Sequence, residues 1–404
     1  MRKLMPYALG LIFAIVPLFP SFIALSPVAF PGISLLPRTI TLLVLAVCAL
    51  LATYATIALV RYPRGGSQPL LLPLLTVFAA GVIAGAAGFD PIAGSLFTGI
   101  GGLGIIWHCS VMRFYGDRRA ATAIYAAFLS SGLLAAGIAV AMVATRVPGA
   151  QYAITHGRAT GTFILPGELA GYLIVLLPIA YALGCVAGSV RLRYLAWATL
   201  AVGAVAIALT YSRAGLMGLA AAFAFLVTAQ TRRGAAAVVF GVTGIVVVLL
   251  LFNAHHDPSE DYTRLSIWQT AMQIADRFPL TGVGPFNFSR LYAALRAPDA
   301  DASAFHAHSL YLTFLVEFGF LGLLTVTWTI WRFVTELRRR VTAARPNDAF
   351  LALSVAAGLF GVAVQGLIDT VSVVLFGLWM PTMSLALASA LGGDPDPASP
   401  SELP

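Results

Sequence analysis

Long apolar runs separated by short polar segments fill most of the chain of 404 residues. Each run approaches the ~20 residues with which an α-helix crosses the hydrocarbon core of a bilayer. The pattern predicts about twelve spans, near residues 5–25, 39–60, 69–88, 93–112, 121–144, 165–187, 194–210, 214–230, 234–252, 309–332, 349–369 and 372–391. An even number of spans places both termini on the same side. The predicted fold is an all-α polytopic membrane protein.

Composition supports this class, because 59% of the residues are hydrophobic and only 10% are charged, against roughly 25% charged in soluble domains. The N-terminal run shows no convincing cleavage site, so we expect a retained first span. Three cysteines, Cys48, Cys109 and Cys185, lie inside apolar runs. They read as buried apolar side chains rather than as a disulfide or metal set.

The net charge of +8 is explained by topology better than by nucleic-acid binding. With cytoplasmic termini, the predicted inner segments carry 16 of the 24 Lys and Arg residues, as the positive-inside rule requires. The remaining eight are predicted outside: Arg38, Arg146, Arg158, Arg213, Arg264, Arg277, Arg290 and Arg296. Because they oppose the insertion bias, an anionic ligand on the outer side is the simplest reason for them.

The chain divides into nine spans, a long outer loop, three further spans and a tail, at residues 1–252, 253–308, 309–391 and 392–404. Pro and acidic residues predict a disordered cytoplasmic tail. Three stretches are predicted on the outer side: the first outer stretch (156–173), the second (210–215) and the third (253–308).

The third outer stretch shows helical periodicity. Leu265, Trp268, Met272 and Ala275 recur at helical spacing and predict an amphipathic helix on the membrane surface. Phe278-Pro279 should end it, followed by a turn at 282–285 and a short helix over 286–296, to judge from Pro and Gly.

Arg213 and Arg264 are the candidate anion-binding residues. Arg213 lies in the short turn T-Y-S-R-A-G, directly before a span. It can snorkel to lipid headgroups, or it can clamp a phosphate together with the free N–H groups of the helix that begins there. Arg264 opens the surface helix, and its alternative is an ion pair with Glu260 or Asp261.

His308 stands where the tenth span begins and is the candidate general base, since an imidazole titrates near neutral pH. Its alternative is an interfacial histidine with a satisfied hydrogen bond. His306 precedes it by two residues. On a helix the two rings would point to different faces, so we expect no shared metal ion.

Other polar groups carry weaker signals. Asp299-Ala300-Asp301 and His255-His256-Asp257 resemble metal-binding patterns, but such spacing arises easily in a polar loop. Arg290 reads as a solvated charge, with substrate binding as its alternative. Carboxylates in or beside spans are functional candidates, and three are predicted at the outer ends of spans, each of which could instead pair with an outer arginine: Glu168, Glu317 and Asp369.

Three motifs together resemble the O-antigen ligase and polymerase family. They are R-A-T-G-T-F-x-x-P from Arg158, S-R-A-G from Ser212, and a final block. The block has Arg264 four residues before a tryptophan, then P-L-T-G-V-G-P-F-N-F, then H-S-L-Y-L-T-F-L-V-E-F-G-F-L-G from His308. Relatives often have Asn after the proline of the first motif, whereas this chain has Pro-Gly-Glu, which leaves the role of Glu168 open.

The resemblance implies a fold similar to the GT-C class of membrane glycosyltransferases and a site on the periplasmic side of the bacterial inner membrane. Family members transfer a glycan from undecaprenyl pyrophosphate to an acceptor hydroxyl, which in the ligases belongs to the lipid A–core. By resemblance Arg213 and Arg264 hold the pyrophosphate and His308 is catalytic. Further substrate contacts are expected from residues around these motifs: Arg158, Glu168, Tyr211, Arg290 and His306.

The chemistry expected of such a site needs no cofactor, because two arginines and a helix N-terminus can stabilise a pyrophosphate leaving group without a metal ion. A neutral histidine can take the acceptor proton, and attack from the opposite face inverts the anomeric centre. The sequence favours a ligase over a polymerase, and both over a protein O-oligosaccharyltransferase. A transporter of anionic lipids is the alternative from another class, but it predicts polar residues along several spans.

Overall fold

The computed structural model describes residues 4–15, 50, 52–61, 67–114, 118–163, 165–231, 244, 258–298, 300, 304, 306–369 and 373–391. Within these residues the secondary structure is entirely helical, which confirms the all-α class. The helices are α1 (Met5–Ile15), α2 (52–61), α3 (Leu71–Ala87), α4 (Pro91–Phe114), α5 (Arg118–Thr145), α6 (Gly149–Ile154), α7 (Pro166–Val186), α8 (Val190–Leu209), α9 (Arg213–Thr231), α10 (Pro258–Arg277), α11 (Phe288–Leu295), α12 (Leu310–Ala343), α13 (Pro346–Gln365) and α14 (Val373–Ser389).

Five of the described helices are long and apolar enough to cross a membrane: α5, α7, α8, α12 and α13. The apolar helices α3 and α9 are shorter. These helices indicate a membrane protein, and they coincide with spans predicted from the sequence. The predicted span 234–252 lies outside the described residues except for residue 244, as do the tail 392–404 and parts of the first two spans. Helix α12 continues to Ala343, beyond the predicted end at 332.

Helix α7 lies at the centre of the bundle. Almost all of its side chains are buried, and it packs against α5, α8, α9 and α13. A helix that is apolar on every side must be covered on every side, and small residues let its neighbours approach. At Gly358 of α13 a Cβ atom would lie 2.7 Å from the Cα of Val175, so the two backbones are in contact.

Helix α12 is broken at Gly319, where φ is 62° and ψ is −165°. The break leaves the carbonyls of Val316 and Glu317 outside the helical hydrogen-bond pattern. They accept instead from the backbone N–H groups of Val283 and Gly284, at 2.9 and 3.0 Å. The turn predicted from P-L-T-G-V-G-P thus docks on the tenth predicted span and fixes the third outer stretch to the bundle.

Glycine is required at two positions of this docked turn. Gly282 and Gly284 have φ values of 68° and 89°, which residues with a Cβ atom rarely adopt. A Cβ atom on Gly282 would also lie 2.5 Å from the carbonyl oxygen of Val316. The motif therefore needs these glycines because the backbone of the turn lies in contact with the backbone of α12.

Helix α10 packs a second apolar face against the protein, in addition to the face predicted to lie on the membrane surface. Ile267, Ala271 and Ile274 are buried in a cluster with the side chains of α11, whereas Leu265 and Met272 are exposed. The prediction of a helix ending at Phe278-Pro279 is confirmed. Of the predicted membrane-facing stripe, Leu265 and Met272 are exposed, whereas Ala275 is buried. Helix α10 lies against the protein because a second apolar stripe packs on α11 and α12.

Candidate functional site

The second outer stretch is a tight turn that presents Arg213. Helix α8 ends at Leu209 and α9 begins at Arg213. The hydroxyl of Ser212 accepts a hydrogen bond from the N–H of Gly215 at 3.0 Å, which caps α9 in the manner expected of a serine at this position. At Gly215 a Cβ atom would meet Ala170 at 2.5 Å, so glycine lets α9 start directly against α7. The motif S-R-A-G fixes Arg213 at the first position of α9.

Arg213 forms an ion pair with Asp261 in the first turn of α10, with 3.1 Å between Nη2 and Oδ1. The arginine side chain is 20% exposed and the aspartate side chain 54%. The sequence suggested Asp261 as a partner of Arg264, but its carboxylate contacts Arg213. This pair joins the second outer stretch to the third.

Arg158 joins the first outer stretch to the second. Its Nε atom donates to the carbonyl of Thr210 at 2.8 Å, and its Nη2 atom lies 3.5 Å from the carbonyl of Tyr211. Tyr211 has φ of 49° and its side chain is 46% exposed. The guanidinium of Arg158, predicted to contact substrate, thus binds the backbone that precedes Arg213.

His306 and His308 lie side by side, with ring centroids 4.3 Å apart. The expectation that the two rings diverge is wrong, because this segment is not helical: His308 has φ of 45° and α12 begins only at Leu310. The backbone N–H of His308 donates to Nδ1 of His306 at 3.1 Å. This bond shows that Nδ1 of His306 carries no proton.

Burial lowers the pKa of His306 to about 3, and the neighbouring His308 adds to the effect. A buried imidazole without a full counter-charge remains neutral, which agrees with its role as acceptor. His306 therefore supports the backbone of His308.

Asp369 completes the cluster from the segment after α13. Its Oδ1 atom lies 3.8 Å from Nδ1 of His308, an ion-pair distance somewhat longer than a direct hydrogen bond. Gln365 donates to the carbonyl of Gly167 at 2.9 Å. A Cβ atom on Gly167 would collide with the carboxylate of Asp369. Because residue 167 has no side chain, the carboxylate of Asp369 can lie beside the N-terminus of α7.

Burial alone would raise the pKa of the Asp369 carboxyl, but the interactions with His308 and His306 outweigh it and lower the pKa, and the positive charge of Arg264 adds a smaller effect in the same direction. Arg264 also acts electrostatically on His306. Arg264 therefore lies within electrostatic reach of the histidine cluster, and the turn of α10 before it carries the partner of Arg213. Residues of all three outer stretches and the end of α13 meet at one end of the bundle.

Among the described residues, His306, His308 and Asp369 form a group that could approach a metal ion, with one donor atom from each within 4.8 Å of the others. Zinc takes nitrogen donors at about 2.0–2.1 Å, so these donors would have to close around an ion. Nδ1 of His306 is already engaged by the backbone. The patterns at 255–257 and 299–301 lie outside the described residues, apart from Ala300.

Three other predicted residues make contacts within the fold. Glu168 accepts from the N–H of Leu165 at 3.4 Å and caps α7. Glu317 accepts from the backbone N–H groups at 286 and 288 and holds the docked turn. Arg290 pairs with Asp90 at 2.9 Å and fixes α11 to the start of α4. Each of the three residues therefore makes a contact that holds elements of the fold together.

The fold and the cluster together define a helical membrane protein with a polar site at one end of its bundle. Residues 198–327 match the protein family described as O-antigen ligase. The matched segment covers roughly a third of the chain and contains Arg213 and Arg264 together with His308, Asp261 and Gly319. The match confirms the resemblance to the O-antigen ligase and polymerase family that the motifs predicted. A search of curated proteins found no match to the chain.

Proposed function

We propose that this protein is an O-antigen ligase, which transfers O-antigen polysaccharide from undecaprenyl pyrophosphate to a sugar hydroxyl of the lipid A–core. The observation that carries the proposal is the convergence of Arg213, Arg264 and the His308–Asp369 pair at one end of the bundle. On this proposal the end that carries them faces the periplasm of a bacterial inner membrane, and both termini are cytoplasmic.

The function of the two arginines is to stabilise the leaving group. As the bond between the anomeric carbon and the phosphate oxygen breaks, negative charge develops on the pyrophosphate. Arg213 can bind it through the planar guanidinium, whose geometry suits phosphate oxygens, and the free N–H groups at the start of α9 add a favourable dipole. Arg264 supplies a second positive charge. Groups fixed in place before reaction stabilise such charge without reorganisation.

The acceptor is activated by His308. The acceptor oxygen attacks the anomeric carbon from the face opposite the pyrophosphate, and its proton passes to the imidazole. Asp369, beside Nδ1, orients the ring so that Nε2 can face the acceptor, and it stabilises the imidazolium as it forms. The product has the inverted anomeric configuration, and no metal ion takes part.

A polymerase is the second candidate from the same family, since it uses the same donor and passes the glycan to another lipid-linked glycan. The resemblance of the motifs does not separate the two acceptors. An anionic-lipid transporter is less compatible with polar groups gathered at one end of the bundle.

Purified protein in liposomes with undecaprenyl-pyrophosphate glycan and lipid A–core tests the proposal. We expect glycan on the core with and without EDTA, and loss of transfer by at least about a hundredfold in Arg213→Ala and His308→Ala, as for groups that act on the transition state. Arg277→Ala is the matched control, because this exposed arginine ends α10 away from its first turn. Lengthening of the glycan on its own carrier identifies a polymerase, and full activity of both site variants refutes the mechanism.

A further inference from the structure

We propose that Arg158 is a positioning residue, which acts on the donor pyrophosphate through Arg213 and makes no contact with it. This inference rests on the proposed function. It changes the role that the sequence suggested for Arg158, from a substrate contact to a support of the arginine that binds substrate.

Three consecutive carbonyls carry the inference. The N–H of Ala159 donates to the carbonyl of Leu209 at 2.9 Å. The Nε atom of Arg158 donates to the next carbonyl, that of Thr210, at 2.8 Å, and Nη2 lies 3.5 Å from the carbonyl of Tyr211. One dipeptide of the first outer stretch thus binds every carbonyl from the last residue of α8 to the residue before Ser212.

These carbonyls need such a partner. The last carbonyls of a helix lack intrahelical donors, and they form the negative end of the helix dipole, where a cation is favoured. The guanidinium of Arg158 meets both needs, and its planar fork spans adjacent carbonyls where a lysine could reach one. Two of its nitrogens are directed at backbone oxygens, which is the arrangement of a structural clamp.

The clamp acts on Arg213 through very little chain. Tyr211, whose φ of 49° is in the left-handed region, is followed by Ser212 and then by Arg213. The N–H of Ser212 also donates to the hydroxyl of Thr210 at 3.2 Å. A shift of the turn would therefore move the first residue of α9 directly, since no flexible segment separates them.

A double-mutant cycle separates positioning from direct contact. The quantity measured is the dissociation constant of undecaprenyl pyrophosphate for the full-length protein in detergent, in wild type, Arg158→Ala, Arg213→Ala and the double variant. We expect Arg158→Ala to weaken binding about tenfold, the coupling seen for residues of one network. The double variant should bind as weakly as Arg213→Ala alone. Multiplied effects in the double variant would show that Arg158 binds the ligand itself and would overturn the inference.

Two further variants keep the result interpretable. Arg158→Lys retains the positive charge but has a single donor nitrogen in place of the planar fork, so we expect it to recover part of the lost affinity. No recovery by a folded Arg158→Lys protein contradicts the clamp. Arg146→Gln removes an exposed charge from the chain before the first outer stretch and should leave binding unchanged. If Arg213→Ala itself binds normally, the proposed function fails, which is a different outcome from multiplied effects.

Discussion

The backbone N–H of His308 donates to the Nδ1 atom of His306, one alanine away in the chain, at 3.1 Å. The bond requires an unprotonated Nδ1 on the buried His306, and His308 itself has a left-handed backbone with φ of 45°. The residue proposed as the catalytic base is thus held by a histidine that must not carry a proton on the bonded atom.

Replacing His306 should weaken the pH dependence of stability. The pKa of His306 is about 3 in the folded protein against an ordinary value of 6.5. Both states are neutral above pH 6.5, but as the pH falls toward 3 only the unfolded chain takes up the proton. Stability therefore falls with falling pH, by at most about 1.4 kcal/mol for each pH unit. His306→Gln lacks this proton and should lose less stability between pH 7.5 and pH 5.

Denaturant unfolding in detergent at several pH values measures this difference. His156→Gln is the matched control, because it removes an exposed histidine of the first outer stretch and leaves His306 in place. Equal slopes for wild type and His306→Gln would show that His306 is not the group responsible.

Replacing Asp369 by Asn tests the orientation of His308. The amide keeps the shape but removes the negative charge near Nδ1, so the imidazolium formed during transfer loses its stabilisation. We expect kcat to fall on the order of a hundredfold or more with little change in donor KM. Asp348→Asn, in the first turn of α13 at the other end of that helix, is the control. A kcat within about twofold of wild type would remove Asp369 from the mechanism.

Replacing Asp261 by Asn should strengthen donor binding. The carboxylate occupies the guanidinium of Arg213 at 3.1 Å, where the proposed pyrophosphate has to bind, so it competes with the donor. Because such partly exposed pairs contribute little, about 0–1 kcal/mol, we expect the donor KM to fall only a few-fold and the thermal stability to stay close to wild type. Asp276→Asn on the same helix should change neither, and a raised KM in Asp261→Asn would indicate that the carboxylate assists binding.

Replacing Gly319 by Ala should destabilise the docked turn. A left-handed backbone costs a residue with a Cβ atom roughly 1–3 kcal/mol, and the added methyl group would collide with the carbonyl of Leu280. Gly137→Ala in α5 is the control, since its Cβ atom would meet nothing within 4 Å. Thermal unfolding in detergent measures both; a Gly319→Ala protein as stable as the control variant would show that the turn adapts.

Replacing Arg290 should affect stability and leave donor binding alone. Its ion pair with Asp90, whose side chain is 10% exposed, ties α11 to the start of α4. The Arg290 side chain is 42% exposed, but its loss removes a counter-charge from a largely buried carboxylate. Arg290→Ala should therefore lower the unfolding temperature, and Asp90→Ala should add little to it in the double variant. A raised donor KM in Arg290→Ala with an unchanged unfolding temperature would instead support the substrate contact suggested by the sequence.

The sequence predicts the helices well because each apolar run has one stable outcome in a bilayer. The three outer stretches could also be placed at one end of the bundle, and the structure joins them through Arg158, Arg213 and Asp261. Successive spans cross the membrane in opposite directions, so every second loop lies on the same side. The alternation of apolar and polar segments is therefore enough to assign each loop to a side.

Contacts between distant segments could not be predicted in this way. The break at Gly319 interrupts an apolar run that reads as a continuous span, and only the docked turn explains it. The partners Arg290 and Asp90 lie far apart in the chain. Helical geometry would place the rings of His306 and His308 on different faces, whereas α12 begins only after them, with Ser309 as its N-cap.

The enclosure of α7 has a consequence for biogenesis. During synthesis α7 enters the bilayer long before α13, whose Gly358 later touches its backbone. Until then the side of α7 that α13 covers is surrounded by lipid, which its apolar surface tolerates. A chain that lacked α13 would leave this side of α7 without its helical neighbour. The packing of α13 on α7 is therefore a late event in the assembly of the protein. Asp369, which follows α13, reaches its position beside Gly167 at the same stage.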